Sequence, residues 1–156
     1  MAISNSYQVY NGADLFVFVG ASGTAASAAL PLAHATSHTL TLSASTWDTS
    51  DKDTSTYNTK SLGRFDVSAS CEGLVAYGSF EDILTRMEAR AKVLLVFSTK
   101  ASGADTPEVS ASGSYASGEF YITGWDMTAP DAGSSTYSVS FEHCSGFAFI
   151  PGTSDI

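Results

Sequence analysis

Two stretches of the chain alternate in polarity residue by residue, and no other feature of the sequence constrains the fold as strongly. From His34 to Thr46, Leu40, Leu42 and Ala44 fall on one parity and Thr39, Thr41, Ser43 and Ser45 on the other. From Gly63 to Leu74, Phe65, Val67, Ala69 and Cys71 oppose Asp66, Ser68, Ser70 and Glu72. Successive side chains leave a strand on opposite sides, so a period of two marks a strand with one buried and one wet face. Two such strands in succession read as the arms of a hairpin. The 16 residues between them, Trp47 to Leu62, have no apolar period and read as a long loop. Loops of that length inside a domain usually carry an interaction.

The remaining elements follow from shorter signals. Asp14 to Gly20 and Lys92 to Ser98 are continuous apolar runs, as expected of strands covered on both faces. Ala21 to Ala33 and Thr99 to Ala116 are rich in Ser, Gly and Ala and read as loops. Ser79 begins a capping-box-like S-F-E-D, and Phe80, Ile83, Leu84 and Met87 recur at helical spacing to about Ala91. Glu119 to Ala129 and Tyr137 to His143 alternate again, forming a second hairpin around Pro130 to Gly133, and the tail from Gly146 leaves no room for another full element. The sum predicts one mainly β domain over residues 1–156: an antiparallel β-sandwich or partly closed barrel with one flanking α-helix.

Charge restricts what such a domain can do. Lys and Arg number 7 against 16 Asp and Glu, a net charge of −9, which argues against gripping nucleic acid by its phosphates. The 25 serines and 16 threonines are roughly a quarter of the chain, so its surface is polar mainly through hydroxyls. Two cysteines are too few for a disulfide scaffold, and free thiols are expected. Neither a secretory signal nor a bilayer-length apolar run is visible, which predicts a protein made in the cytoplasm with no membrane partner.

Candidate chemistry is sparse. His34 and His38 are four apart, about 13 Å along a strand, too far to share a metal ion. Asp48, Asp51 and Asp53 resemble a calcium loop but lack the required glycine and glutamate in either register. Gly20 to Gly23 follows a strand without the helix and acidic residue of a dinucleotide site. A hydrolase would need Cys71 to meet His143 across the sheet, with no acidic or oxyanion support. A sugar-binding sandwich would use Trp47, Tyr57 or Trp125 as stacking platforms. No cofactor, metal site or catalytic constellation is expected. The polar strand faces carry Asp66, Glu72, Glu119 and Glu142 among serines and threonines, and they suit either the wet side of a sandwich or the lining of a channel.

The order of several segments resembles a known family. Ala35 to Thr54, A-T-S-H-T-L-T-L-S-A-S-T-W-D-T-S-D-K-D-T, is similar to a signature of the major tail tube proteins of long-tailed phages. The likeness continues through Ser61 to Phe65, Ser70 to Leu74, Tyr121 to Thr123, Ala129 to Asp131 and Thr136 to Glu142. The insertion at Ala21 to Leu32 and the loop at Lys100 to Ser117 depart from it. The resemblance implies a structural subunit without catalysis. It implies homohexameric rings that stack into a tube in the virion tail, assembled in the host cytoplasm with tape-measure and tail-terminator partners. Double-stranded DNA would pass through without specific binding. Inner-tube subunits of related injection or gene-transfer particles fit the same description. On this reading Trp47, Asp48, Asp51, Lys52, Asp53, Tyr57 and Lys60 make contacts between subunits or rings. Asp66, Ser68, Ser70, Glu72, Glu119, Ser138, Ser140 and Glu142 face the lumen.

Overall fold

The computed structural model describes residues 12–32, 34–51, 57–76, 78–110 and 113–152. Seven strands form one antiparallel sheet: β1 Leu15–Ala21, β2 Leu30–Pro31, β3 Ala35–Asp48, β4 Lys60–Leu74, β5 Lys92–Thr99, β6 Tyr115–Thr128 and β7 Thr136–Ile150, in the order β2-β1-β5-β6-β7-β4-β3. A single α-helix, α1 (Ser79–Glu88), joins β4 to β5. The expected sandwich or partly closed barrel thus appears, at a coarser level, as one continuous sheet with one helix. The sheet curls instead of dividing. Val17 of β1 shares a core with Val67 and Ala69 of β4, although the sheet order places three strands between them.

The periodicities explain where the core lies. Val67, Ala69 and Cys71 meet Tyr137, Val139 and Phe141 on one face, where Phe120, Ile122, Val93 and Leu95 join them and Ile83 of α1 covers them. β1 and β5 are buried on both sides, as their unbroken apolar runs require. Phe18, Leu94 and Val96 form a second cluster on the opposite face, closed by Ala29 and edged by Ala26. The Ala21 to Ala33 segment is therefore more than a loop: it carries a short 3-10 turn, Ala26–Ala28, and the two-residue β2, and it lids that second cluster.

Several boundaries differ from the sequence reading, each for a local reason. Trp47, Asp48 and Lys60 to Leu62 are paired strand residues, with Trp47 opposite Ser61 and Asp48 opposite Lys60. The ribbon is wet on both sides there, so no apolar period marks it. β6 starts at Tyr115 and β7 runs to Ile150, because Tyr115 pairs with Ile150 and Ala116 with Phe149 beyond the alternating segment. α1 is preceded by Gly78, whose φ of 90° sets the entry turn, so Ser79 is the first helical residue and not the cap.

The helix ends three residues earlier than its spacing predicts. Arg90 takes a left-handed φ of 53°, its N–H donates to the Met87 carbonyl, and the Ala91 N–H donates to the Arg86 carbonyl. This paired arrangement is the usual way to terminate a helix, with glycine the usual residue at the left-handed position. A side chain there costs about 1 kcal/mol. Arg90→Gly is expected to stabilise the fold by about that amount, raising the thermal midpoint by roughly 2–4 °C in a calorimetric melt.

Candidate assembly and lumen surfaces

The outward parity of β3, β4 and β7 lines up across the sheet in rows. Ser37 lies opposite Glu72, which lies opposite Ser138; Thr39, Ser70 and Ser140 form the next row, and Thr41, Ser68 and Glu142 the next. Directly opposed residues in antiparallel strands share a face. Seven of the eight residues expected to face a lumen, Asp66, Ser68, Ser70, Glu72, Ser138, Ser140 and Glu142, therefore occupy one contiguous polar face. The rows extend onto β6 through Asp126, opposite Ser138, and Tyr121, opposite Glu142. Asp126 was missed because a register shift at Ile122/Gly124 breaks the strict alternation in β6, whereas Tyr121, before the shift, keeps the polar parity of Glu119.

Glu119 is on the same side of the sheet but has a separate task. Its carboxylate accepts a hydrogen bond from the Ser22 hydroxyl at 2.5 Å and one from the Ser145 hydroxyl at 3.1 Å. Those bonds, with some help from Lys92, hold its pKa below the ordinary glutamate range. The carboxylate ties the segment after β1 to the sheet, next to the cluster lidded by Ala29.

The other expected contact residues sit on a projecting arm. Ladder pairing of β4 with β7 stops at Ser68 opposite Glu142, whereas β3 and β4 stay paired out to Asp48 and Lys60. The Thr49 N–H donates to the Thr59 carbonyl at 2.9 Å, and the Thr59 N–H donates to the Ser50 hydroxyl at 2.9 Å. The Ser50 N–H donates to the Asp48 carboxylate, and the Ser50 bonds lower the Asp48 pKa. Asp51 and Tyr57 lie just beyond these bonds, Tyr57 being 81% exposed. Lys52 and Asp53 lie outside the described residues. A bulge bends the arm where Ser45 faces two residues of β4. A Cβ on Gly63 would run into the Ser45 hydroxyl and lie 3.3 Å from the Trp47 ring, so the bulge needs glycine there.

The bland readings of the remaining candidates account for them. Cys71 is fully buried opposite His38, and burial pushes its thiol up to about 12, so it holds no thiolate at neutral pH. His143 is opposite Phe120 and packs edge-on against the Phe120 and Phe147 rings; the register does not bring it to Cys71. His38 is depressed by burial and His34 sits in a turn before β3. Among the described residues no group of three His, Cys, Asp or Glu side chains converges to hold a metal ion. Trp125 stacks on Tyr137 at 4.9 Å, away from the arm that carries Trp47 and Tyr57, so the three aromatics do not make one platform.

A family model described as phage tail tube protein matches residues 9–146. The chain belongs to the phage tail tube protein family. No curated protein sequence matches it. Solved structures share its fold at low identity, three of them as follows. The tail of an empty gene transfer agent particle, refined with C6 symmetry, is 16% identical with a TM-score of 0.67, covering 92% of this chain and 100% of that one. The SPP1 tail tube is 12% identical with a TM-score of 0.66, covering 89% and 77%. The baseplate of an anti-feeding prophage is 12% identical with a TM-score of 0.63, covering 95% and 99%. This tail tube protein is a structural subunit.

The Glu119 clamp has a pH sign. A carboxylate whose pKa is lowered on folding adds stability above its unfolded value, and loses it as pH falls through the folded one. Protection of the amides at residues 22–24, taken as exchange relative to the intrinsic rate at each pH, should therefore fall as the pH drops below the ordinary glutamate range. Glu119→Gln, which keeps the shape but not the charge, should exchange faster at neutral pH and lose most of that acid dependence.

Proposed function

We propose that six copies of this chain close into a ring, and that rings stack head to tail into the tube of a virion tail through which double-stranded DNA passes. The observation that carries the reading is the pairing of a polar four-strand face with a bare edge. β3 is flanked by β4 on one side only, and its other edge, Ala35 to Asp48, pairs with no strand among the described residues. A lone subunit leaves that edge open, and a closed annulus of subunits gives it a neighbour. Rotational closure by six also matches the C6 symmetry of the similar gene transfer agent tail. The ring's upper and lower rims differ, so stacking produces an open polymer.

In this assembly Asp66, Glu72, Asp126 and Glu142, with the serines and threonines between them, line the bore. Repeated around the ring, the carboxylates repel phosphates that come within a Debye length of about 8 Å, and DNA slides instead of adhering. The arm, with Trp47, Asp48, Asp51, Lys52, Asp53, Tyr57 and Lys60, reaches the next ring or subunit. Assembly takes place in the host cytoplasm, with a tape-measure protein setting length and a terminator closing the end. A second reading, an inner-tube subunit of an injection or gene-transfer particle, draws on the likeness to the gene transfer agent and anti-feeding prophage structures. It uses the same ring and bore.

Two variants test the reading by negative-stain electron microscopy and ejection kinetics. Lysine at Asp66, Glu72, Asp126 and Glu142 takes the net charge from −9 to −9 + 8 = −1. Such tubes should assemble, retain DNA at low salt and release it as salt rises; ejection at the normal rate would count against the lining. Deleting residues 50–58 should leave folded subunits that do not form long tubes, and tubes of normal length would remove the arm from the contact.

A further inference from the structure

Leu40 and Leu42 lie on the core side of β3, opposite the buried Ala69 and Val67. They are nevertheless 36% and 55% exposed, because the sheet stops at β3 and nothing among the described residues covers their outer flank. On a different flank, β5 accompanies β6 only as far as Tyr121. Farther along β6, Met127 stands on the core side, opposite the buried Tyr137, and is 50% exposed. It borders a groove of about 720 Å³ shared with Leu74, Val75, His34 and Glu81. Among the described residues, each copy thus carries an exposed pair of leucines on one edge and a half-exposed methionine beside a groove on another.

We propose that, in the ring, Leu40 and Leu42 of one copy are buried against Met127 and the adjoining groove of the next copy. This rests on the ring reading above and adds to it the apolar seam that seals neighbouring subunits. Three observations favour a second copy as the occupant. First, the sheet runs β6-β7-β4-β3 in strictly antiparallel steps, so β3 runs opposite to β6. Rotation about a ring axis preserves the component of strand direction along that axis, so strands that run along the bore bring β3 to the neighbour's β6 in the antiparallel sense the rest of the sheet uses. Second, the faces agree. Side by side, Leu40 and Leu42 continue the side that bears Met127, while Thr39, Thr41 and Ser43 continue the side that bears Asp126 and Thr128. Third, the charge is right. Of the 16 acidic residues none lies between Ala35 and Trp47, nor does any lysine or proline, so the edge lacks both the repulsion and the blocking residues that keep strands apart. The other sheet edge, two-residue β2 with Pro31, is blocked in just that way.

The test uses the full chain in a Cys144→Ser background, since Cys144 is partly exposed and Cys71 is buried. Leu42→Cys subunits are mixed with Met127→Cys subunits, assembled, and treated with a short bis-maleimide. A linked dimer from the mixture, absent when either variant is treated alone, is the expected result. Linking of Leu42→Cys chains to one another would overturn the proposal in favour of an edge-to-edge dimer. In parallel, Leu42→Asp and Met127→Asp should each raise the subunit concentration needed for ring formation on the order of tenfold or more, because a carboxylate would be buried in the seam. Their melting curves should match wild type, as both sites are exposed in the single subunit. Wild-type tubes together with normal tubes from both aspartate variants would sink the seam and leave the ring reading intact. A wild-type chain that forms neither rings nor tubes would sink both. Restoration of assembly only by an unrelated partner protein would replace the second copy as the occupant.

Discussion

A backbone edge 14 residues long with hydrogen-bonding partners on one flank only is the constraint from which the rest of this structure follows. Every second N–H and carbonyl along that edge points away from the sheet; the Ala35 N–H reaches the Leu32 carbonyl, and beyond it the edge meets no strand among the described residues. Soluble sheet proteins blunt such edges with charge, proline or brevity. This chain applies brevity and proline to β2, whereas β3 is long, has no proline and carries charge only at its end, Asp48. A net charge of −9 keeps copies apart in general, and the absence of acidic side chains from Ala35 to Trp47 leaves most of this edge without that repulsion.

How much of this was legible in the sequence depends on whether a residue's neighbours are near it in the chain. The two hairpins were readable because Leu40, Leu42, Val67 and Ala69 obey a period of two and because β4 and β7 repeat the pattern from their own residues. The double burial of β1 and β5 was readable from unbroken apolar runs. The single curled sheet was not, because the meeting of Val17 with Val67 depends on the path of the whole sheet. Asp126 escaped notice since a bulge between Ile122 and Gly124 resets the parity of β6, and the glycine inside the strand was the one local signal of it. The arm's length was misjudged for a similar reason. A ribbon wet on both faces has no apolar period to betray it, so only its cross-strand bonds, such as Thr49 to Thr59, reveal that it is ordered that far out.

The polar face and the apolar clusters also divide labour across the sheet. Where β3, β4 and β7 present hydroxyls and carboxylates, the same outward side of β1 and β5 presents Phe18, Leu94 and Val96 and needs the Ala26 to Ala29 lid. Glu119 stands at the frontier, fastening that lid with one oxygen and reaching Ser145 with the other. The same carboxylate, on the outward side of the sheet, clasps the wet half to the dry one.

The bulge at Ser45 and Gly63 limits how the arm can change over time. Strand side chains swap sides with each added residue, so an insertion of one residue between the bulge and the tip turns every outward group inward. Two residues restore the original facing. The arm can therefore lengthen or shorten in even steps while keeping its inner and outer partners, and an odd step demands a second bulge to compensate. Length variation among such arms should come in pairs.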